Sequence, residues 1–379
     1  MKKYLSLAVT LSAAFALHAQ VKTLQPANLS LPNSPSFKLL DLVPVSSQAP
    51  QTPREFSLGI LSSLQDNNGW PTNYSAEFTP YWWLNGPKRN VYSYLGIRRP
   101  AKAGDVNVVR GNPFAGMQFT SFSISFMKED MLPDKDTNAQ RIISGGLHTN
   151  LIRIYSKKQL RAAYAKIDAW HKAAQEDLDA LTGNINPLLP PDTIAARLRA
   201  AANGQMRSTK HAAALGEQME MKPILQVDIS AAYAGYIIND KTKTGRAGVW
   251  MSVNSFVPWN FKKDIPSNFF SLSLLARYFQ NNFALYENAA FASTNSFDIG
   301  GRVSLEIKSF SIGVEAIHRE NKKLKNFAKE DRLIGILNYK IGKKLYLHGT
   351  YGKNFAANKK LLTSFGINWG FGEEKVELP

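Results

Sequence analysis

Hydrophobic and polar residues alternate at a period of two along most of the chain, between clusters of turn-forming residues. In the last such segment Phe365, Ile367 and Trp369 fall on one face, and the residues between them are small or polar. Because successive side chains of a β-strand point to opposite faces, this alternation predicts strands. Twelve segments show it, at 54–63, 73–83, 117–127, 140–152, 223–239, 246–258, 269–280, 297–307, 310–319, 332–341, 343–353 and 361–371.

The length of these segments indicates the class of β-fold. Many of them reach about ten residues, the length that crosses a bilayer at the tilt of a barrel strand. Strands of soluble sandwiches more often have about five or six residues. We therefore predict an all-β fold, a transmembrane antiparallel β-barrel of about twelve strands. A soluble β-sandwich with one wet face is the alternative, because it shows the same alternation.

The charged residues opposite the apolar face are candidates for the wall of a lumen. Two pairs of opposite charge on this face, Arg302 with Glu306 and Glu315 with Arg319, are four residues apart on one strand, or about 13 Å. They cannot be direct partners, so we expect their counterions on neighbouring strands. The predicted lumen-lining residues are Glu77, Asp228, Arg277, Asp298, Arg302, Glu306, Glu315 and Arg319.

Residues 156–221 interrupt the strand pattern with helical periodicity. Ser156 and Gln159 have the spacing of a capping box, and apolar residues then recur at three- and four-residue steps. After a proline-rich break, Asp192 can cap a second helix. The sequence therefore predicts one helical hairpin, with barrel strands 1–4 in 54–155 and strands 5–12 in 222–372. The insertion is a candidate docking element for another envelope protein, or an insertion without a partner.

Residues 1–20 have the features of a secretory signal peptide. A short cationic start is followed by an uncharged apolar stretch and then by small residues, which places cleavage between Ala16 and Val21. The alternative is a buried N-terminal helix. We expect export through the Sec pathway and residence in the outer membrane of a Gram-negative bacterium. Short connections at Lys308-Ser309 and Gly342-Lys343, alternating with longer ones, indicate that both termini lie in the periplasm.

The segment after the signal peptide, 21–53, contains six prolines and one apolar cluster at 37–43. Its composition does not favour a helix, and it is long for a simple leader. We interpret it as a plug that enters the barrel or as a periplasmic tether. At the other end of the chain, 373–379 forms a short tail after the last predicted strand.

The composition of the chain limits the partners and cofactors that we expect. The chain of 379 residues has a formal net charge of +17, which often indicates nucleic acid, but an exported protein does not normally meet nucleic acid. We expect outer-membrane lipid as the partner instead. The absence of cysteine and of HExxH spacing among six histidines gives no support to a metal site, and we expect neither metal nor cofactor.

Catalytic residues are scarce. Lipid-hydrolysing barrels of the phospholipase and lipid A deacylase type present a His-x-Ser pair on one strand, and no histidine after the signal peptide has a serine two residues on. His148 and Ser144 share a predicted strand face and are the remaining catalytic candidates. A histidine in a polar lumen network is the commoner structure.

Two segments resemble a known type of protein. Pro53–Leu58 and Asn73–Trp83 are similar to the corresponding parts of uncharacterised outer-membrane barrels from Bacteroidota-type envelopes. The resemblance covers the leader and first two strands, and it implies a membrane barrel with no agreed activity. Such barrels usually end on an aromatic residue, whereas here eight residues follow Phe371.

These observations favour a non-enzymatic function. We expect a porin-like, gated or plugged small-solute channel, or a component of a larger envelope assembly, because a twelve-stranded barrel is narrow once side chains fill it. The alternative is a lipid-modifying outer-membrane enzyme with residues near His148. A soluble periplasmic binding protein is a third possibility, which the strand lengths disfavour.

Overall fold

The structure is a computed structural model, and strands make up most of it. It describes residues 23–24, 35–40, 46–48, 57, 74–83, 89–98, 109–129, 140–183, 207–219, 221–238, 241–259, 268–285, 291–322, 330–341, 345–355, 361–369 and 376–377. The predicted signal peptide 1–20, most of the leader 21–53 and most of the tail 373–379 lie outside these residues. So does the predicted strand 54–63, apart from Ser57, which is helical.

Sixteen strands occur in the described residues. The short ones are β1 (Thr23–Leu24), β2 (Ser46–Gln48), β3 (Tyr74–Phe78), β4 (Ile97–Arg98), β5 (Arg110–Gly111) and β16 (Val376–Glu377). The long ones are β6 (Ser121–Glu129), β7 (Gln140–Ile154), β8 (Leu225–Ile238), β9 (Lys241–Pro258), β10 (Asn268–Leu285), β11 (Phe291–Ile307), β12 (Phe310–Lys322), β13 (Glu330–Lys340), β14 (Leu345–Lys353) and β15 (Leu361–Trp369).

Twelve of these strands form one sheet. From β3 through β6 to β15 each strand pairs antiparallel with the next, and β2 lies between β15 and β3, parallel to both. The mostly antiparallel β fold is thus confirmed. The membership of the sheet differs from the prediction, because β2 stands in it and 54–63 is not among the described strands. Within the described residues β3 and β15 do not pair directly; Gln48 of β2 joins them, through a single residue pair with Trp369.

The predicted strand 73–83 is shorter in the structure. Pro80 begins a short helix, α2 (Pro80–Trp83), immediately after β3 ends at Phe78. Proline has no amide hydrogen for a strand ladder and fits the first position of a helix, so it ends the strand here.

The two faces of the sheet differ sharply in chemistry. On β11, Ile299 is 57% exposed and Val303 is 43% exposed, whereas Asp298 and Ser304 are 0% and 9% exposed. We call the side with the buried polar residues the polar face and the opposite side the apolar face. Exposed residues of the apolar face include Tyr233, Val249, Met251, Leu272, Leu274, Ile299, Val303, Val314, Leu333, Leu337, Tyr351 and Phe365.

Helices form a second core beside the sheet. α3 (Val91–Leu95), α4 (Lys157–Gly183) and α5 (Arg207–Met219) pack together through buried residues, among them Val91, Leu95, Leu160, Tyr164, Ile167, Leu215 and Met219. The predicted capping box is confirmed. The backbone N–H of Gln159 donates to Ser156 Oγ at 3.1 Å, and the backbone N–H of Ser156 donates to Gln159 Oε1 at 2.8 Å. No described helix is long and apolar enough to span a membrane.

The connections between strands define two ends of the sheet. We call the end with the Lys308-Ser309 turn the proximal end, and the opposite end the distal end. The strand registers place the α4–α5 connection at the proximal end, together with the stretch from β3 to β6. The alternation of short and long connections predicted around Lys308-Ser309 and Gly342-Lys343 agrees with the strand bounds. It holds from β10 onward but not for the earlier strands, where the two longest connections join proximal strand ends and only two residues separate the distal ends of β8 and β9.

Two short strands, one from the first and one from the last described residues, pair with each other. β1 pairs antiparallel with β16, so that Thr23 lies opposite Glu377. β16 also lies beside α3, in the connection between β3 and β6, which places this pair at the proximal end. β1 and β16 therefore both lie at the proximal end of the sheet.

Candidate functional site

A row of alternating charges crosses four strands of the polar face. Arg277, Asp298, Arg319 and Glu330 are successive cross-strand neighbours on β10 to β13. Arg277 donates to Asp298 Oδ2 from Nε at 2.9 Å and from Nη2 at 2.6 Å. Arg319 donates from Nε to Oδ1 at 2.8 Å and from Nη2 to Oδ2 at 3.0 Å. Asp298, fully buried, thus holds two guanidinium groups together.

Aromatic rings flank this row. The guanidinium carbon of Arg319 lies 3.7 Å from the ring centre of Phe355 and 5.4 Å from that of Phe279. Arg277 lies 4.9 Å from the ring centre of Phe279. A cation over an aromatic face gains electrostatic attraction when it is removed from water. The rings therefore complete a buried environment for the two arginines.

The other predicted lumen residues lie on the same face. Arg302 and Glu315 are cross-strand neighbours at 3.8 Å, and Arg332 lies 3.5 Å from Glu315. Glu306 pairs with Lys222, and Ser121 Oγ donates to Glu77 at 2.5 Å. The expectation that Arg302 and Arg319 take their counterions from neighbouring strands is confirmed, since Glu315 and Asp298 supply them.

His148 has a carboxylate partner. Its Nε2 lies 3.2 Å from Asp228 Oδ1, and Asp228 also accepts hydrogen bonds from Gln226 and Asn254 at 2.8–3.0 Å. Ser144 lies four residues from His148, or about 13 Å along the strand. Its hydroxyl donates instead to the Ser36 carbonyl at 2.8 Å. The structure therefore does not bring the two catalytic candidates together.

Residues 35–40 of the leader pack against the polar face. The helix α1 (Pro35–Lys38) is followed by Leu39 and Leu40, which are 0% and 2% exposed. These two leucines join a core formed by residues of the surrounding strands, Met127, Ile142, Ala232, Ala234, Tyr236, Trp250 and Phe279. The predicted apolar cluster 37–43 contains both leucines.

Hydrogen bonds fix the segment in place. The Ser36 amide donates to Ser123 Oγ at 3.2 Å, and the Ser36 hydroxyl contacts Ser125 Oγ. Arg246 Nη1 donates to the Leu39 carbonyl at 2.6 Å. A side chain on Gly146 would reach within 2.8 Å of Pro35, so the absence of one permits the close approach. The sequence indicates the apolar cluster. It does not indicate the hydrogen-bond partners of the segment, because these lie on strands that are distant in sequence.

Lys38 lies close to the charges of the polar face. Burial lowers the pKa of Lys38 to about 8, and the positive charge of Arg302 acts in the same direction. The carboxylates of Glu315 and Glu77 act in the opposite direction. Protonated Lys38 therefore destabilises the docked position of residues 35–40.

In the part of the chain that the structure describes, no group of three or more His, Asp or Glu side chains is arranged to hold a metal ion. No protein-family model matches the chain. No curated protein is significantly similar to it.

Proposed function

We propose that the chain is an outer-membrane β-barrel that acts as a gated small-solute channel, with residues 35–40 as the plug of its lumen. The observation that carries the proposal is the packing of this segment on the polar face, whose opposite face is apolar and exposed. In lipid, backbone groups must be paired within the protein, so a sheet of this kind must close on itself. The pairings of β2 with β15 and β3 support such closure.

The orientation follows from the chain ends. A signal peptide exports the chain to the periplasm, and β-barrels of this class begin and end there. The proximal end, where β1 pairs with β16, then faces the periplasm. Residues 35–40 enter the lumen from that side, and the distal connections face outward.

A disulfide lock tests the plug, because the chain contains no cysteine. The hydroxyls of Ser36 and Ser125 are in contact, so cysteines at these positions lie within disulfide reach. The refolded mature chain carrying both S36C and S125C is placed in a planar bilayer. We expect it to stay closed when oxidised and to open in steps after a reductant is added.

Each single-cysteine variant serves as a control and should behave like the wild type in both conditions. A folded barrel that never conducts, even after the disulfide is reduced and the plug is released, would overturn the proposed channel function. Conductance that the oxidised lock leaves unchanged would overturn the plug.

A role in an envelope assembly is the second candidate, and the position of the α4–α5 connection favours it. In the proposed orientation these helices stand in the periplasm, at the same end of the sheet as the pair of β1 and β16. A photo-crosslinking residue at Lys172, whose side chain is 72% exposed, tests this in intact cells. One discrete crosslinked species at this position would support an assembly, and none would count against it.

A lipid-modifying enzyme is the alternative from another class. The carboxylate of Asp228 beside His148 is the arrangement that orients a general base. Phospholipid hydrolysis by the purified wild type that disappears in H148A would favour the enzyme. The channel proposal expects no hydrolysis by either protein.

A further inference from the structure

The ring of Phe279 on β10 lies beside the plug. Phe279 is fully buried and belongs to the core that holds Leu39 and Leu40. It meets Leu39 over Gly248 of β9, where a Cβ would lie 2.5 Å from the Phe279 ring and 2.8 Å from Leu39 Cδ1. Because glycine has no Cβ, both side chains pack against the strand at this point. The position of the Phe279 ring therefore depends directly on the docked plug.

Two arginines lie between this ring and a second ring. The guanidinium carbons of Arg277 and Arg319 are 4.9 and 5.4 Å from the ring centre of Phe279. The ring centre of Phe355 is 3.7 Å from the guanidinium carbon of Arg319 and 5.8 Å from that of Arg277. Each guanidinium group is thus within cation–π distance, about 6 Å, of both rings. We call Phe279, Arg277, Arg319 and Phe355 the stack.

The last member of the stack departs from the alternation of β14. Tyr351 and Lys353 are exposed on the apolar face, and a continued strand would place Phe355 on that face as well. β14 ends instead at Lys353, at the distal end, and the half-buried ring of Phe355 lies against arginines of the polar face. The chain thus turns inward after the strand and brings an aromatic ring of the distal connection into the proposed lumen.

We propose that Phe355 is a distal gate of the lumen and that the stack couples this gate to the plug. The inference rests on the proposed channel. When the plug leaves, Phe279 loses its packing against Leu39, and water reaches the arginines. A cation–π contact is weaker when the cation is hydrated, so the hold on Phe355 weakens as well. Coupling between two sites is reciprocal, and loss of the Phe355 ring must therefore favour release of the plug.

Thiol labelling of S36C measures plug release without any need for conductance. Ser36 is fully buried when the plug is docked, and the chain contains no cysteine of its own. The refolded mature S36C chain in detergent micelles is mixed with a water-soluble methanethiosulfonate reagent, and mass spectrometry follows the labelling rate. Adding F355A should increase this rate about threefold or more, because the ring that holds the arginines against Phe279 is lost.

Three further variants in the S36C chain complete the test. F365A is the matched control, because Phe365 of β15 is 65% exposed on the apolar face, and it should leave the labelling rate unchanged. F355L keeps an apolar side chain but has no π face, so it should be labelled as fast as F355A. F355Y keeps the ring and should be labelled at the rate of S36C alone.

Labelling of F355A at the rate of S36C alone would overturn the coupling, and so would an equal acceleration in F365A. An unaccelerated F355L would overturn the role of the ring. If F355A fails to migrate as a folded, heat-modifiable barrel, F355L replaces it. In planar bilayers F355A should have a higher open fraction than the wild type, and an equal open fraction would overturn the gate. A folded chain that is labelled faster but never conducts would overturn the channel and leave the coupling of Phe355 to residues 35–40 in place.

Discussion

Arg319 donates hydrogen bonds to both carboxylate oxygens of Asp298, its direct cross-strand neighbour, at 2.8 and 3.0 Å. Arg277 binds the same carboxylate from the other side. The three side chains are at most 7% exposed, so one carboxylate is the shared ion-pair partner of two guanidinium groups that have little access to water. Glu330 lies 4.0 Å from Arg319 and supplies a second negative charge. Removing one partner of such a group leaves charge buried without compensation.

D298N should therefore destabilise the fold strongly. Loss of one partner from a buried ion pair costs about 3–5 kcal/mol. We expect the midpoint of urea unfolding in detergent micelles to be lower. Unfolding is measured as the loss of heat-modifiable gel migration. D331N is the control, because Asp331 contacts His318 at 2.7 Å with a side chain that is 64% exposed. Exposed pairs contribute about 1 kcal/mol or less, so equal effects of the two variants would contradict the prediction.

The contrast between Asp298 and Ile299 shows how much of the fold the sequence predicts. Alternation at a period of two is a local property of the chain, so the face of each residue can be derived from its neighbours. The partner of Asp298 depends on strand register, which is set by residues far apart in sequence. The need for cross-strand counterions was therefore predictable, whereas the identity of Arg277 as a second partner was not.

The same limit applies to the candidate site. The apolar cluster at 37–43 is visible in the sequence, but the partners of Ser36 and Leu39 come from β6 to β9. The end of β3 at Phe78 was predictable in principle, since Pro80 is a helix-starting residue.

In the proposed channel, weakening the packing of the plug should raise the fraction of time that the channel is open. Leu39 is fully buried, and replacing a buried leucine with alanine removes about 2–5 kcal/mol of packing free energy. L39A should therefore raise the open fraction in single-channel recordings. L39M keeps the volume and should behave close to the wild type. Equal open fractions in the wild type, L39A and L39M would show that Leu39 does not hold the closed state.

The charge of Lys38 should make plug docking depend on pH. Burial and the charges of Arg302 and Arg277 lower the pKa of Lys38 from 10.5 to about 8, against the opposing effect of Glu315 and Glu77. Between these values the docked segment binds fewer protons than the released one, so docking strengthens as pH rises. Below pH 8 the full cost of burying the charge remains.

Single-channel recordings between pH 7.5 and 10.5 measure this effect. The closed fraction of the wild type should rise through the upper part of the range. K38M, which has no charge to lose, should be more closed at pH 8 and show little dependence on pH. A wild-type closed fraction that falls with rising pH would contradict the sign of the pKa shift.

The capping box at the start of α4 should contribute to the helical core. Ser156 Oγ accepts from the Gln159 amide, and Gln159 Nε2 also donates to the Lys222 carbonyl at 2.9 Å, which ties α4 to the residues before β8. S156A should cost about 1 kcal/mol, and S156D, which keeps a capping acceptor, should cost little. Hydrogen exchange of the amides of 157–160 is the measurement, since a frayed first turn exchanges faster. Unchanged protection in S156A would show that packing of Leu160 and Tyr164 alone fixes the start of the helix.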